Sequence, residues 1–419
     1  MPLIGSFTPP GDKSISHRLI LMSILAEGEM LISGLSNCED VKSSLGAFRT
    51  LGGLTSLQVD GLVIKGLNRE VRTNEQIDID CGNSGTTMRL LTGILAGLSG
   101  SFRLDGDRQL RARPMQRVAD PLIQMGAKVE TDNGRPPVTI FGSKLSGVTC
   151  RINDASAQLK SAVLLAGLSA SSPTTIVLSS SSRDHTERLI RYWGGRLASD
   201  GLTLTVQPGL LKLPRRFLTP GDPSSAAFFL VAASIISGSR VTAKNLLLSH
   251  GRTGFLRVLD RMGAKVSLTM ESDTPEPTGE VTVTYNGPLH ATEIQPDEVP
   301  SLIDEIPILA LAATLAEGVT IFRKVDELRL KETDRLMSIR HQLGAMGARV
   351  RIEGDDLLVE GPTSFILPTQ LDSGHDHRLA MTLVMALKAA NAKVPIAGLE
   401  SIPISYPDFQ NHLDSLWSH

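Results

Sequence analysis

"RVADPLIQMGAKVE", residues 117 to 130, reads as the end of an amphipathic helix, a glycine stop and the start of a strand. The chain repeats that phrase. A large residue, a glycine and a small residue close a helical pattern at Leu51-Gly52-Gly53, Met125-Gly126-Ala127, Trp193-Gly194-Gly195, Met262-Gly263-Ala264 and Met346-Gly347-Ala348. The spacing is about 70 residues, somewhat more at the last step, and a self-similar period of that length marks a repeated supersecondary unit.

Each unit reads alike: a Gly- or Ser-rich turn opens an apolar helix, an alternating strand follows, a second amphipathic helix ends in the triplet, and one or two strands close it. In the first unit the helix is "SISHRLILMSILAEG" from 14, with Leu19, Ile20, Ile24 and Leu25 on one face and Gly28 as its stop. Strand "MLISGL" from 30, helix "EDVKSSLGAFRTLGG" from 39 and strand "DGLVIKGL" from 60 complete it. Comparable helix openings begin at 81, 154, 220, 301 and 373, which makes about six units, three in each half. These opening helices are apolar almost all round, so they are expected to be buried, with the sheets of each half wrapped around them. A chain of 419 residues is also too long for one ordinary core and predicts two domains. "PPGDKSISHR" at 9–18 and "TPGDPSSAAF" at 219–228 share Pro-Gly-Asp and the serines and mark the two crossings between halves. The second turn has Pro223 in place of Lys13 and no cation in place of Arg18.

Composition narrows the function. Hydrophobic content of 41% and charge of 21% suit a soluble globular protein, while a net charge of −2 and only 4% aromatics argue against a nucleic-acid surface. Cys38, Cys81 and Cys150 are too few and scattered for a disulfide framework or a zinc spacing. The opening "MPLIGSFTPP" has neither a secretory nor a transit pattern, and the longest apolar runs, about 13 residues, fall short of the roughly 20 a spanning helix needs. A cytoplasmic location without a membrane partner is therefore expected.

Helix N-termini carry unpaired N–H groups and partial positive charge, so several of them opening toward one cleft attract anions. Near the openings lie Lys13, Ser14 and Arg18; Asn83, Gly85 and Arg89; Ser156, Gln158 and Lys160; Arg183; Asp304 and Glu305; and Asp376, His377 and Arg378. Arg113 in "RARPM" and Lys331, Glu332 and Arg335 in "ELRLKETDRL" lie between them. Guanidinium forks suit phosphate and carboxylate, and the few carboxylates suit proton transfer. Each also has an ordinary reading: capping for Asn83 and Ser156, and for "KETDRL" an exposed helix laced with i,i+4 ion pairs. "PPGDKS" lacks the glycines of a phosphate-binding Walker loop, "GNSG" at 82–85 lacks the spacing of a nucleophile elbow, and His375-Asp376-His377 has no third metal ligand at a telling spacing.

Taken in order, "GDKSISHR", "GNSGTTMR", "RPM", "SAQLKSA", "RDHTE", "GDPSSAAF", "IDEIP", "KETDRL" and "DHRLAM" resemble the enolpyruvyl transferase family over essentially the whole chain, and within it the class II EPSP synthases. The resemblance implies a two-domain inside-out α/β barrel of six βαβαββ repeats. It places residues 12–219 on the shikimate-phosphate side and residues 1–11 with 220–419 on the phosphoenolpyruvate side, with the active site in the cleft between them. It implies transfer of the enolpyruvyl group of phosphoenolpyruvate to the 5-hydroxyl of shikimate 3-phosphate, releasing phosphate. No metal or organic cofactor and no nucleic-acid partner is implied, and a monomer is expected.

Carried over motif by motif, Lys13, Ser14, Arg18, Ser156, Ala157 through its backbone, Gln158 and Arg183 would hold shikimate 3-phosphate. Lys13, Gly85, Arg113, Gln158, Arg335 and Arg378 would hold phosphoenolpyruvate. Asp304, Glu332 and Lys13 would be the catalytic residues, Asp304 as the base at the 5-hydroxyl and Glu332 as the proton donor to the methylene carbon; Asp304 and Lys331 would also contact shikimate 3-phosphate, Lys331 at its ring. Glyphosate, which occupies the phosphoenolpyruvate site in this family, is expected to inhibit, because Gly85 adds no methyl there. The chain departs from the better-known branch at Ile404, Glu327 and Arg183, which stand at or near the places of a Lys, an Asn and a Tyr. The related UDP-N-acetylglucosamine enolpyruvyl transferases open with Lys-Asn and use a loop cysteine, and no cysteine here lies near Arg113. RNA 3′-phosphate cyclases share the repeat but need a nucleophilic His. A non-catalytic anion-binding protein would keep the arginines without needing Asp304 and Glu332.

Overall fold

The five glycine triplets are helix stops of one kind. Gly52, Gly126, Gly194, Gly263 and Gly347 have φ of +91°, +94°, +80°, +97° and +88°, a left-handed conformation that costs glycine nothing. The next residue then turns its N–H back onto the helix: Gly53 to Phe48 O at 2.9 Å, Ala127 to Leu122 O at 3.0 Å, Gly195 to Ile190 O at 2.8 Å, Ala264 to Leu259 O and Ala348 to Leu343 O at 3.0 Å. This is the Schellman closure, and it sends the chain directly into a strand.

The computed structural model describes residues 1–71, 75–153 and 156–417. The strands leaving the triplets, Thr55–Gln58, Lys128–Asp132, Leu197–Asp200, Lys265–Ser272 and Arg349–Glu353, each pair antiparallel with the strand that follows. Each hairpin extends, again antiparallel, onto a third strand, which carries a parallel fourth at the edge. Among the described residues, five four-stranded sheets result. In three of them the parallel pair flanks a buried helix: Gly85–Ala96 between Gln76–Asp80 and Ser101–Asp105, Ala157–Leu168 between Thr149–Ile152 and Thr174–Leu178, and Ile306–Thr314 between Glu293–Ile294 and Gly318–Phe322. A parallel pair needs such a crossover, so the period read in the sequence is the period of a mixed α/β fold. Towards the C-terminus the pairing thins to Leu371–Asp372 with Ile396–Ala397 on either side of helix His377–Ala389.

The chain divides into two units, one formed by Gly11–Thr219 and the other by Met1–Pro10 with the residues from Pro220 onward. Within the first, helices Gly85–Ala96 and Ala157–Leu168 touch backbone to backbone; a β-carbon at Gly93 would lie 2.2 Å from Ala162 O. Within the second, helix Pro223–Ile235 is buried from Pro223 to Ser234 and helix Ile306–Thr314 along its whole length. Helices buried on every side are what their unbroken apolar sequences require. No described helix is long and apolar enough to cross a membrane.

Two local expectations need correction. The first helix ends at Leu21, followed by a 3-10 turn over Met22–Leu25 and a short strand, Ala26–Glu27. Gly28, with φ +99°, therefore turns one strand into the next rather than stopping the helix. "KETDRL" is not a surface helix: helix Arg335–Ala345 starts only at Arg335, which is 1% exposed.

Candidate active site

In the unit Gly11–Thr219, the turn "PGD" aims Lys13 and Arg18. Asp12 caps helix Lys13–Leu21, accepting from the Ile15 N–H at 2.8 Å. Lys13 is the first helical residue, half-buried, with its ammonium 2.7 Å from Asp40. One turn on, Arg18 is 2% exposed and donates from Nε to Thr186 Oγ1 at 2.7 Å, from Nη1 to Ser14 O at 2.8 Å and from Nη2 to Ser161 Oγ at 3.0 Å. His17 faces the interior, its Nδ1 2.7 Å from Ser44 Oγ, which continues to Thr87 Oγ1 at 2.7 Å and on to Ser84 Oγ at 2.7 Å. Burial, opposed by Asp40, pulls the His17 pKa down to about 3, so the imidazole is neutral at any physiological pH.

Ser84 caps the next buried helix through the Thr87 N–H at 3.1 Å. Asn83, the expected cap, instead receives Arg113 Nη2 at 2.9 Å and donates to Asp107 at 2.8 Å and to Gln109 at 2.7 Å. Arg89 reaches across to Gln158 Oε1 at 2.5 Å, and Gln158 donates to Thr86 Oγ1 at 2.8 Å. Burial, then the charges of Arg117 and Arg113, pull Arg89 down to about 10. The positive charges of Arg117 and Arg113 thus add to burial in disfavouring the Arg89 cation. Gly85 is where the backbone leaves room: a β-carbon there would lie 3.0 Å from Arg89 Nη1 and 3.1 Å from Arg113 Nη1. Ser156 caps its helix through the Leu159 N–H at 3.3 Å, placing Ala157 and Gln158 in the first turn. Arg183 lies half-buried in the loop before helix His185–Tyr192.

The other unit gathers carboxylates around its cations. Arg335 donates from Nε to Asp376 Oδ2 at 2.7 Å and from Nη2 to Glu332 Oε2 at 2.5 Å, and its Nη1 lies 3.5 Å from Asp304 Oδ1. Burial works against that charge, but Glu332, Asp376 and Asp304 outweigh it and hold the guanidinium more firmly protonated than usual. Burial likewise opposes the Asp376 charge, yet Arg335 keeps that carboxyl below its ordinary value. Asp304 sits in the 3-10 turn Ile303–Glu305 and has Arg378 on its other side: Nη2 is 3.8 Å from Oδ2, and Nη1 donates to the backbone oxygen at 3.2 Å. Glu305 is 3.6 Å from Arg378 and accepts from Ser224 Oγ at 2.5 Å; burial raises its pKa against the pull of Arg378. Lys331 is paired with Glu327 at 2.8 Å. Glu332 is the most accessible of the three carboxylates on Arg335, 31% exposed against 17% for Asp304 and none for Asp376.

The expected site residues divide into two groups by unit: Lys13, Ser14, Arg18, Gly85, Arg113, Ser156, Ala157, Gln158 and Arg183 belong to Gly11–Thr219, and Asp304, Lys331, Glu332, Arg335 and Arg378 to the other unit. Asp40, Ser161, Thr186 and Arg252 were not legible as members. Their links to Lys13, Arg18 and Asp222 span 27, 143, 168 and 30 residues, and no local pattern announces contacts of that range. Ile404 is 41% exposed in the short helix Ile402–Ser405. Among the described residues no group of three or more His, Cys, Asp or Glu side chains is placed to hold a metal ion.

A family model described as EPSP synthase (3-phosphoshikimate 1-carboxyvinyltransferase) matches residues 1–413. Among curated relatives, a 3-phosphoshikimate 1-carboxyvinyltransferase of Synechococcus sp. (strain RCC307) is 43% identical over 430 residues, covering 99% of this chain and 97% of that protein. One of Anaeromyxobacter sp. (strain Fw109-5) is 43% identical, covering 99% and 96%. Among solved structures, an EPSP synthase from Acinetobacter baumannii superposes with a TM-score of 0.88 at 34% identity, covering 99% of this chain and 96% of the other. The enolpyruvyl transferase NikO from Streptomyces tendae has a TM-score of 0.80 at 19% identity, a likeness of fold.

Proposed function

From the premise that the chain belongs to the EPSP synthase (3-phosphoshikimate 1-carboxyvinyltransferase) family, we propose how its two clusters divide the work of that reaction. The activity is transfer of the enolpyruvyl group of phosphoenolpyruvate to shikimate 3-phosphate, and the observation that carries it is the family match over residues 1–413. Finer than the shared mixed α/β fold is the proposal that the five four-stranded sheets and the thinner C-terminal pair are six copies of one βαβαββ unit, three to a domain, forming an inside-out barrel; the common strand order supports it. The cytoplasm is the proposed location, supported by three buried free thiols.

On this reading the Gly11–Thr219 unit grips. Lys13, Ser14, Arg18, Ser156, the Ala157 N–H, Gln158 and Arg183 hold shikimate 3-phosphate, while Arg113 and Gly85, whose missing side chain lets Arg89 and Arg113 come close, receive phosphoenolpyruvate beside Lys13 and Gln158. The burial of Arg89 and the positive charges of Arg117 and Arg113 beside it support this, since a bound anion favours the charged form of Arg89. The other unit moves protons. Asp304 takes the proton of the 5-hydroxyl as its oxygen bonds to C2 of phosphoenolpyruvate, and Glu332 gives a proton to C3, turning methylene into methyl. The tetrahedral intermediate collapses as the C2–O bond to phosphate breaks and C3 returns a proton. Arg335 and Arg378 meet the substrate anion, and Lys331 faces the shikimate ring. Positioned acids and bases of this kind contribute roughly 10²–10⁴-fold each, and fixed cations lower the energy of the developing charge. Glu332 touches Arg335, so an anion binding there takes the place of this accessible carboxylate, which, released from the cation, takes up from solvent the proton it then gives to C3.

Phosphate release from phosphoenolpyruvate with shikimate 3-phosphate tests the activity. Release that depends on both compounds is the expected result, and none with this acceptor would sink the reading.

A further inference from the structure

Helices Ala157–Leu168 and His185–Tyr192 face each other beside Arg18 through two consecutive residues each, of which one from each helix touches the guanidinium. Ser161 and Thr186 come first: their hydroxyls lie 2.6 Å apart and both accept from the guanidinium, Thr186 from Nε at 2.7 Å and Ser161 from Nη2 at 3.0 Å. Ser161 is anchored in turn on Ala157 O at 2.6 Å. The neighbouring residues, Lys160 and Glu187, form an ion pair of 2.5 Å at 2% and 4% exposure, and Lys160 also donates to Ser182 O at 3.3 Å. A pair buried that deeply adds little net stability, because both charges lose their water, but breaking it strands a charge in the interior. It therefore pins the separation of the two helices, and with it the separation of the two hydroxyls.

One edge of the Arg18 guanidinium is thereby matched to a rigid two-oxygen cradle, and Ser14 O holds Nη1. Arginine's donors form a planar fork, so fixing one edge fixes the plane and the direction of the rest. We infer that Ser161 and Thr186 are positioning residues that set the orientation of Arg18 toward shikimate 3-phosphate. This rests on the reading that Arg18 binds that substrate. The two residues touch the guanidinium and act through it.

Steady-state kinetics of the full chain separate the possibilities. Thr186→Val keeps the shape and removes the acceptor. The KM for shikimate 3-phosphate should rise about tenfold, the size of one hydrogen bond to a charged group, with KM for phosphoenolpyruvate and kcat within about twofold. Thr186→Ser should restore it, and Ser161→Ala provides a second removal should the valine variant fold poorly. In an Arg18→Lys background, which has no fork to orient, Thr186→Val should add nothing. Arg18→Lys with an unchanged KM for shikimate 3-phosphate would overturn the assignment of Arg18 itself. A raised KM in Arg18→Lys with no effect from Thr186→Val or Ser161→Ala, or additive effects in the double variant, would overturn the positioning role alone.

Discussion

Arg18 and Arg335, one from each unit, are both buried guanidiniums, 2% and 1% exposed, yet they are held in different ways. Arg18 donates to two hydroxyls and a backbone carbonyl, Arg89 to an amide oxygen and Arg113 to another. Arg335 has Glu332, Asp304 and Asp376 around it, and Arg378 has Asp304 and Glu305. Hydroxyl, amide and carbonyl acceptors orient a guanidinium through directed hydrogen bonds. Carboxylates compensate the charge, and they supply groups that take and give protons. On the proposed reading, the first group attracts anions and the second changes its protonation when an anion arrives.

Lys13→Ala should show the largest effect, since Lys13 serves both ligands on the proposed reading. Turnover should fall below detection while the thermal midpoint stays close to that of the parent. A parallel loss of stability would make Lys13 structural and blur the contrast between the units. Next come Asp304→Asn and Glu332→Gln. Each should cost kcat on the order of 10²–10⁴-fold with KM values changed little, and a loss confined to KM would place the carboxylates among the binding groups.

Gly85→Ala probes the gripping cluster more gently. The added methyl meets Arg89 and Arg113 at 3.0 and 3.1 Å, so both guanidiniums must yield a few tenths of an ångström. The parent should be inhibited by glyphosate. In Gly85→Ala both the KM for phosphoenolpyruvate and the inhibitory concentration of glyphosate should rise, the second by more; unimpaired parent activity in millimolar glyphosate would contradict this.

The smallest effect concerns pH. His17 and His377, one in each unit, are buried and have their pKa values lowered from 6.5 to about 3 and about 4, chiefly by burial. The unfolded chain takes up these protons at a higher pH than the folded chain. Their contribution to stability is therefore complete above pH 6.5 and is lost as pH falls toward 4 and 3. Each should add a slope of about 1.4 kcal/mol per pH unit within its window. Urea titrations from pH 7 to 4 should lose one such slope in His17→Gln; an unchanged slope would mean that His17 is charged in the fold.

What could be read before any coordinates follows one physical rule. The glycine triplets were legible because a left-handed residue after a helix is a local requirement, and so was the Ser156 cap, while the cap read at Asn83 falls on Ser84. Lys13 and Arg18 stood out beside the Pro-Gly-Asp turn that opens their helix. The repeated turn at 219–228 was legible as a turn, but its role was not. Asp222 caps the helix through the Ser224 N–H at 2.8 Å and also binds Arg252 at 2.8 Å, a cation supplied from another element where the first turn carries its own. The burial of Arg335 was hidden for the same reason. "KETDRL" carries alternating charges like any solvated helix, and only Asp304 and Asp376, 31 and 41 residues away, turn it inward.

The division of labour is tested most directly by running the reaction in D2O and following deuterium at C3 of recovered phosphoenolpyruvate and of the enolpyruvyl product. The parent should incorporate deuterium, because methylene becomes methyl and returns. Glu332→Gln should still bind both substrates yet incorporate deuterium at least a hundredfold more slowly, on the order expected for loss of a positioned acid. Incorporation at the parent rate in Glu332→Gln would contradict the account and leave the carboxylate cluster without its proposed chemistry.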